Sequence, residues 1–267
     1  MQTPGRLTPR TLVLTIAATL AFAHASQAQE AAQPKMPAGQ PKLTPEQEAL
    51  SQDFYRAEFV ILERKIEPSA VEEKMAGRLP EPPNLETEDI LRHTDKTGAT
   101  QTTLKLVPRN ELHLNTAADR LQNSGKYRIL LAEGWYQAFP PDFEGKPLWV
   151  TIGDWLPGAE HTDVQGMITI DRRRYLHVDV QLNHWLPKSP TENLLGIDLN
   201  TEPPPIAGLN WPRAELLTWI RETRRMRSEE VHFLDSPTLG VLIFFKKIEP
   251  EEAAPLIRKL GLGLKGQ

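Results

Sequence analysis

The stretch YLHVDVQLNHW, Tyr175–Trp185, alternates strictly over its first eight residues. Leu176, Val178, Val180 and Leu182 fall on one side, and Tyr175, His177, Asp179 and Gln181 fall on the other. A period of two fits only an extended chain. Apolar residues alternating with polar ones put one face of that chain in a core and the other in water. Whatever this chain folds into, it must contain an antiparallel sheet with one open face. Met167–Asp171 followed by Arg172–Arg174 supplies the partner strand and turn of a hairpin.

Other segments extend that sheet. In Phe54–Arg64 (FYRAEFVILER), Tyr55, Ala57, Phe59 and Ile61 alternate with Arg56, Glu58, Val60 and Leu62. The second half is apolar on both faces, which suits a central strand. Thr238–Ile248 is almost continuously apolar and reads the same way, while Tyr127–Ala138 and Pro147–Trp155 are further strands. Leu112, Leu114, Ala117, Ala118 and Leu121 recur at helical spacing, with a stop at Asn123-Ser124-Gly125. Arg213–Arg227 supports two patterns. Ala214, Leu217 and Ile220 keep helical spacing, whereas an extended chain puts Trp219, Arg221, Thr223, Arg225 and Arg227 on one face. Pro68–Pro108 reads as a surface excursion with a helical turn near Glu86–Arg92, and Lys188–Pro212 as a loop. The expected fold class is α+β: one antiparallel sheet of six to seven strands with helices packed on one face, a ferredoxin-like arrangement being one that fits.

The expected organisation is a signal peptide over 1–28, a disordered Pro/Gln/Ala-rich tether over 29–50, a single domain over 51–250, and a short helix and tail over 251–267. Arg6 and Arg10 precede an apolar run, Thr11–Ala23, and Ser26 and Ala28 are small residues at peptidase spacing before Gln29. That run is too short to cross about 30 Å of hydrocarbon, so no membrane anchor is expected. The chain holds no cysteine, which excludes a lipidated N-terminal cysteine, disulfides and thiol catalysis. Its net charge of −4 leaves no long-range attraction for nucleic acid, and loss of Arg6 and Arg10 makes the mature chain more acidic still. The expected compartment is the periplasm.

No nucleophile elbow, His-Glu-x-x-His pair, phosphate loop or dinucleotide fingerprint occurs, and no catalytic residue, cofactor or metal is assigned. Two constellations remain. The first is His177, Asp179 and His184, of which His177 and Asp179 point the same way on one strand and could share a proton or a metal, or simply form a solvated face. Arg224, Arg225 and Arg227 could clamp carboxylates with their planar forks, or pair with Glu222, Glu229 and Glu230. His232 and Asp235 follow them, and Asp235-Ser236-Pro237 also carries turn chemistry. Trp135 heads a set of tryptophans whose faces could stack on sugars, although tryptophan is more often core.

In order, FYRAEFVILER, LNTAADRLQNSGKYRILLAEGWYQ, RRRYLHVDVQL and RRMRSEEVHFLDSPTLGVLI resemble the CsiV family of proteobacterial periplasmic peptidoglycan-binding proteins. The resemblance runs from about Tyr55 to Ile248, and the last segment is its most specific part. There the family reads Arg-Arg-x-Arg, then His-Tyr-(Leu/Phe)-Asp-His-Pro, then Gly before an apolar strand. His232, Asp235, Pro237 and Gly240 match, with Phe233 in the tyrosine position and Ser236 in the second histidine position. Loss of that histidine argues against a His-based active site. The resemblance implies murein binding and a part in cell-envelope integrity. The expected ligand-binding set is Arg224, Arg225, Arg227, His232, Asp235, His177 and Trp135, with peptidoglycan as partner and peptidoglycan-synthesis proteins as further candidates. The alternatives are a module that docks on envelope-synthesis machinery without touching glycan, and a murein hydrolase.

Overall fold

A computed structural model describes residues 42–72, 75, 78, 89–157, 159–187 and 214–262. The expected signal peptide, most of the expected tether and all of the Lys188–Pro212 loop lie outside the described residues. The described residues form three α-helices and ten strands in two sheets.

The first sheet, with strand order β4-β1-β10-β9, contains β1 (Phe54–Arg64), β4 (Tyr127–Ala138), β9 (His232–Asp235) and β10 (Leu239–Lys247). The second, with order β3-β2-β5-β6-β7-β8, contains β2 (Ile90–Thr94), β3 (Thr100–Gln101), β5 (Leu148–Leu156), β6 (His161–Arg172), β7 (Leu176–Pro187) and β8 (Ala214–Met226). All pairings are antiparallel except β2 with β5. The architecture is therefore α+β, but it has two sheets where one was expected, and neither the strand orders nor the mixed second sheet give a ferredoxin-like plan.

Side-chain parity explains the split. Ala57, Phe59 and Ile61 of β1 and Leu239, Val241, Ile243 and Phe245 of β10 meet Val150, Ile168, Val178, Val180 and Leu182 of the second sheet in one core. The other face of the first sheet is also apolar, so it needs a second cover. Helix α2 (Asn115–Asn123) places Ala118, with Leu114 just before it, on Val60 and Phe244. Helix α3 (Pro250–Leu260) packs Ala253 and Ile257 on Phe54 and Ile248. The layers run helices, first sheet, second sheet, and among the described residues no helix or further sheet packs on the outer face of the second sheet.

Glu58 seats α2. Its carboxylate is fully buried on β1, accepts from the backbone N–H groups of His113 and Leu114 at 3.1 and 2.9 Å, and pairs with Arg56 at 2.7 Å. A buried charge with that many donors is compensated rather than costly.

Two parts of the chain differ from expectation. Helix α1 (Pro45–Gln52) occupies the end of the expected tether. Thr44 accepts from the Gln47 N–H, Gln47 reaches back to the Thr44 N–H, and Pro45 opens the helix, a complete capping box. Leu50 then joins the apolar cluster around α3, which gives the helix a reason to stay folded. In the expected surface excursion, residues 86–88 of the expected helical turn lie outside the described residues, residues 90–94 form a strand, and Leu91 is fully buried in the inter-sheet core. Leu91→Ala should cost about 2–4 kcal/mol in urea denaturation, the usual range for a buried leucine. A change under about 0.5 kcal/mol would mean that β2 is only surface.

Candidate functional site

The open face of the second sheet is built from cross-strand rows. Asp171, His177 and Arg225 form one, Thr169, Asp179 and Thr223 the next, then Met167, Gln181 and Arg221, then Gln165, Asn183 and Trp219. Trp149 on β5 extends the Met167 row. Segment 214–226 is a strand, so the extended pattern of this arginine-rich stretch prevails over the helical one. Pairing with β7 is the reason: it buries Ile220 and Met226 in the inter-sheet core while their neighbours face water.

At the β6–β7 end of this face, Tyr175 stands 40% exposed. The Arg225 guanidinium lies 4.8 Å from the centre of its ring and that of Arg174 lies 5.5 Å from it. Both arginines are exposed, and among the described residues neither meets a carboxylate at ion-pair distance. His177, beside Arg225, turns its Nδ1 to the Tyr175 carbonyl at 2.9 Å. Asp171, the acid in the same row, is engaged by the Gly145 N–H at 2.8 Å. Two uncommitted cations on one aromatic ring make a site that can take an anion and stack an apolar ring face together.

Of the residues expected to bind ligand, Arg225 and His177 come together here, and the others are placed elsewhere. Arg224 points to the opposite face of β8, where it pairs with Glu222 at 2.5 Å and donates to the Phe233 carbonyl at 2.7 Å. It ties the edge of one sheet to the edge of the other. Arg227 lies beyond the strand end and approaches Glu230 at 3.5 Å. Its backbone N–H donates to His232 Nε2 at 3.0 Å, which makes that histidine a fixture of the β8–β9 turn. Asp235 meets Arg64 Nη2 with both oxygens, at 2.5 and 2.6 Å, so the turn chemistry belongs to Ser236, whose hydroxyl accepts from the Leu239 N–H at 3.0 Å. Trp135 is 2% exposed and stacks on Phe59 in the inter-sheet core, so no ligand face remains to it. Phe233 covers Gly240 so closely that a Cβ there would lie 2.7 Å from its ring, which accounts for the aromatic and glycine positions of the motif. The sequence does not single out Tyr175, which reads as a wet-face strand residue, or Arg174, which reads as turn.

A second polar cluster lies between the sheets. Arg128 meets Glu63 at 2.6 Å, Asp154 at 2.7 Å and Asp163 at 3.1 Å. His184 lies 3.7 Å from Glu63 and 2.8 Å from the Thr238 hydroxyl. Burial lowers the His184 imidazole despite Glu63, so it stays neutral. Burial raises the Asp163 carboxyl to about 6, against the pull of Arg128. A raised carboxyl can signal a proton-transfer site. Here it closes a bulge: Asp163 Oδ1 accepts from the Asp154 N–H at 2.9 Å, and Gly153 beside it has φ of 88° with no room for a Cβ. Because the folded value exceeds the unfolded one of about 3.9, the Asp163 contribution to stability is full below about pH 4 and is lost as pH rises through about 6. Urea melts should show Asp163→Asn gaining on the wild type by about 2–3 kcal/mol between pH 4 and 7. A constant difference would mean that Asp163 is ionised throughout.

No described helix is long and apolar enough to cross a membrane, and among the described residues no cluster of acids and histidines could hold a metal. No curated protein and no solved structure matches the chain. One family model does: CsiV, described as a peptidoglycan-binding protein, matches residues 14–248. A match over nearly the whole chain shows the family, and the chain belongs to the CsiV family of peptidoglycan-binding proteins.

Proposed function

We propose that this is a non-enzymatic, periplasmic peptidoglycan-binding protein that supports the cell envelope, and that it holds peptidoglycan on the open face of the second sheet. The carrying observation is the exposed Tyr175 ring with the guanidiniums of Arg174 and Arg225 against it, neither of which meets a carboxylate among the described residues. Peptide stems of peptidoglycan end in carboxylates, which an arginine fork fits, and their sugar rings offer apolar faces to an aromatic ring. Each charge-assisted hydrogen bond is worth about 1.5–3 kcal/mol. After the cost of association a single site is weak. A polymer that presents many copies compensates by raising the effective concentration. The leader-like N-terminus supports export, and the structural role of Asp163 and His184 supports binding without turnover.

Docking on envelope-synthesis proteins is the second reading. It is favoured by a groove of about 650 Å³ along the outer edge of β4, lined by Arg92, Leu106, Arg109 and Glu133 among others. A peptide could lie along such an edge strand.

Co-sedimentation with purified sacculi separates the two. Wild type should pellet, and Arg174→Ala with Arg225→Ala should weaken binding by about tenfold or more. Arg227→Ala, off the sheet face, should change it less than about twofold. Added salt should weaken the wild-type interaction. Wild type left in the supernatant would contradict the proposal. Equal pelleting of the double variant would move the site away from this face.

A further inference from the structure

Six residues along β8 from Arg225, the same face carries a second aromatic station. Trp219 is half-buried, with the Arg221 guanidinium 4.9 Å and that of Arg78 5.4 Å from the centre of its ring. Arg221 is itself fixed, donating to Asn183 Oδ1 at 2.5 Å and to the Ile220 carbonyl at 2.8 Å. Beside it lies a cavity of about 250 Å³ lined by Trp219, Arg221, Glu222, Asp235, Ser236 and Pro237. This cavity brings the open face together with the Asp235-Ser236-Pro237 turn, the most specific segment of the family resemblance.

Its chemistry differs from that at Tyr175. Both carboxylates in its wall are already neutralised, Glu222 by Arg224 and Asp235 by Arg64. What remains is the Trp219 indole with the Arg221 and Arg78 guanidiniums against it, since the Ser236 hydroxyl is already engaged with the Leu239 backbone. An indole beside N–H donors, with Arg221 already turned to the Asn183 and Ile220 oxygens, suits a ring that carries hydroxyl and amide oxygens. The volume falls below the roughly 300–1,000 Å³ of drug-sized sites, so one ring fits and a chain does not. Six residues of extended chain put the two stations about 20 Å apart. Asp179, Gln181 and Thr223 fill the face between them with a hydrogen-bonded polar surface, Asp179 accepting from Gln181 at 2.7 Å and from Thr223 at 2.6 Å.

We infer that the Trp219 cavity is a glycan subsite for one N-acetylated amino-sugar ring, distinct from the carboxylate subsite at Tyr175, so that a single peptidoglycan strand spans both. The inference rests on the peptidoglycan-binding reading and adds a division of labour to it. Two probes test that division by calorimetric titration: glycan strands stripped of stem peptides, and a free stem peptide. Trp219→Ala should weaken stripped-glycan binding by about fivefold or more and leave stem-peptide binding within about twofold, while Trp219→Phe should restore most of the glycan affinity. Arg174→Ala with Arg225→Ala should do the reverse. Arg221→Met supplies a second glycan-side variant if Trp219→Ala unfolds, and a circular-dichroism melt decides that. Wild type that binds sacculi but not stripped glycan overturns this inference and leaves the broader reading intact, as does a Trp219 or Arg221 variant with unchanged glycan affinity. Wild type that binds neither sacculi nor either probe overturns both.

Discussion

Strands β1 and β10 are apolar on both faces, and that double demand for burial organises everything else. One cover is a second sheet and the other is a layer of helices, because an apolar sheet face left in water forfeits roughly 25 cal/mol for every Å² it fails to bury. The second sheet has only one apolar face. Once that face is spent on β1 and β10, the other is available for recognition. The open platform follows from the layer order, and the same alternation in β7 that demands a core also displays His177 beside Arg225.

The polar groups between the layers keep that platform rigid. Glu58 fixes α2 to β1, Arg128 links β4 and β1 to the β5–β6 bulge, and Arg224 joins β8 to β9. Breaking the Glu58 link would leave a fully buried charge without its partners, which costs more than the contact itself contributes. The proposed site, on strands held this way, would keep its geometry before a ligand arrives. That matters for a surface whose individual contacts are weak.

Much of this is legible in the sequence, and the limits are physical. Period-two alternation in Leu176–Leu182 marks an open-faced strand, and two-sided apolarity in Phe54–Arg64 marks a central one. Those two patterns belong to different sheets, since one sheet of this kind cannot have both an open face and a helix-covered one opposite a core. The capping box at Thr44–Gln47 is also written in the sequence, although Ala/Gln/Pro composition around it reads as tether. Strand β2 is harder, because Leu91 is the only buried side chain among its five residues and no pattern can be read from one. At the site, parity separates Arg225 from Arg224 once β8 is known to be extended. The capture of Asp235 by Arg64, 171 residues away, is not a local property and has no signal in spacing. Arg174 looks like a turn residue, and Tyr175 like any wet-face strand residue, until the sheet brings Arg225 to them.

The central claim is that peptidoglycan meets the open sheet face at the Arg174–Tyr175–Arg225 cluster. Nuclear magnetic resonance titration of isotope-labelled protein with soluble peptidoglycan fragments tests it most directly, by locating the footprint without any substitution. The account predicts shifts concentrated at Arg174, Tyr175, His177 and Arg225 and spreading along β7 and β8, with α2, α3 and the outer edge of β4 unmoved. Shifts centred on the β4 edge or the helical layer, with Tyr175 and Arg225 unchanged, would contradict it.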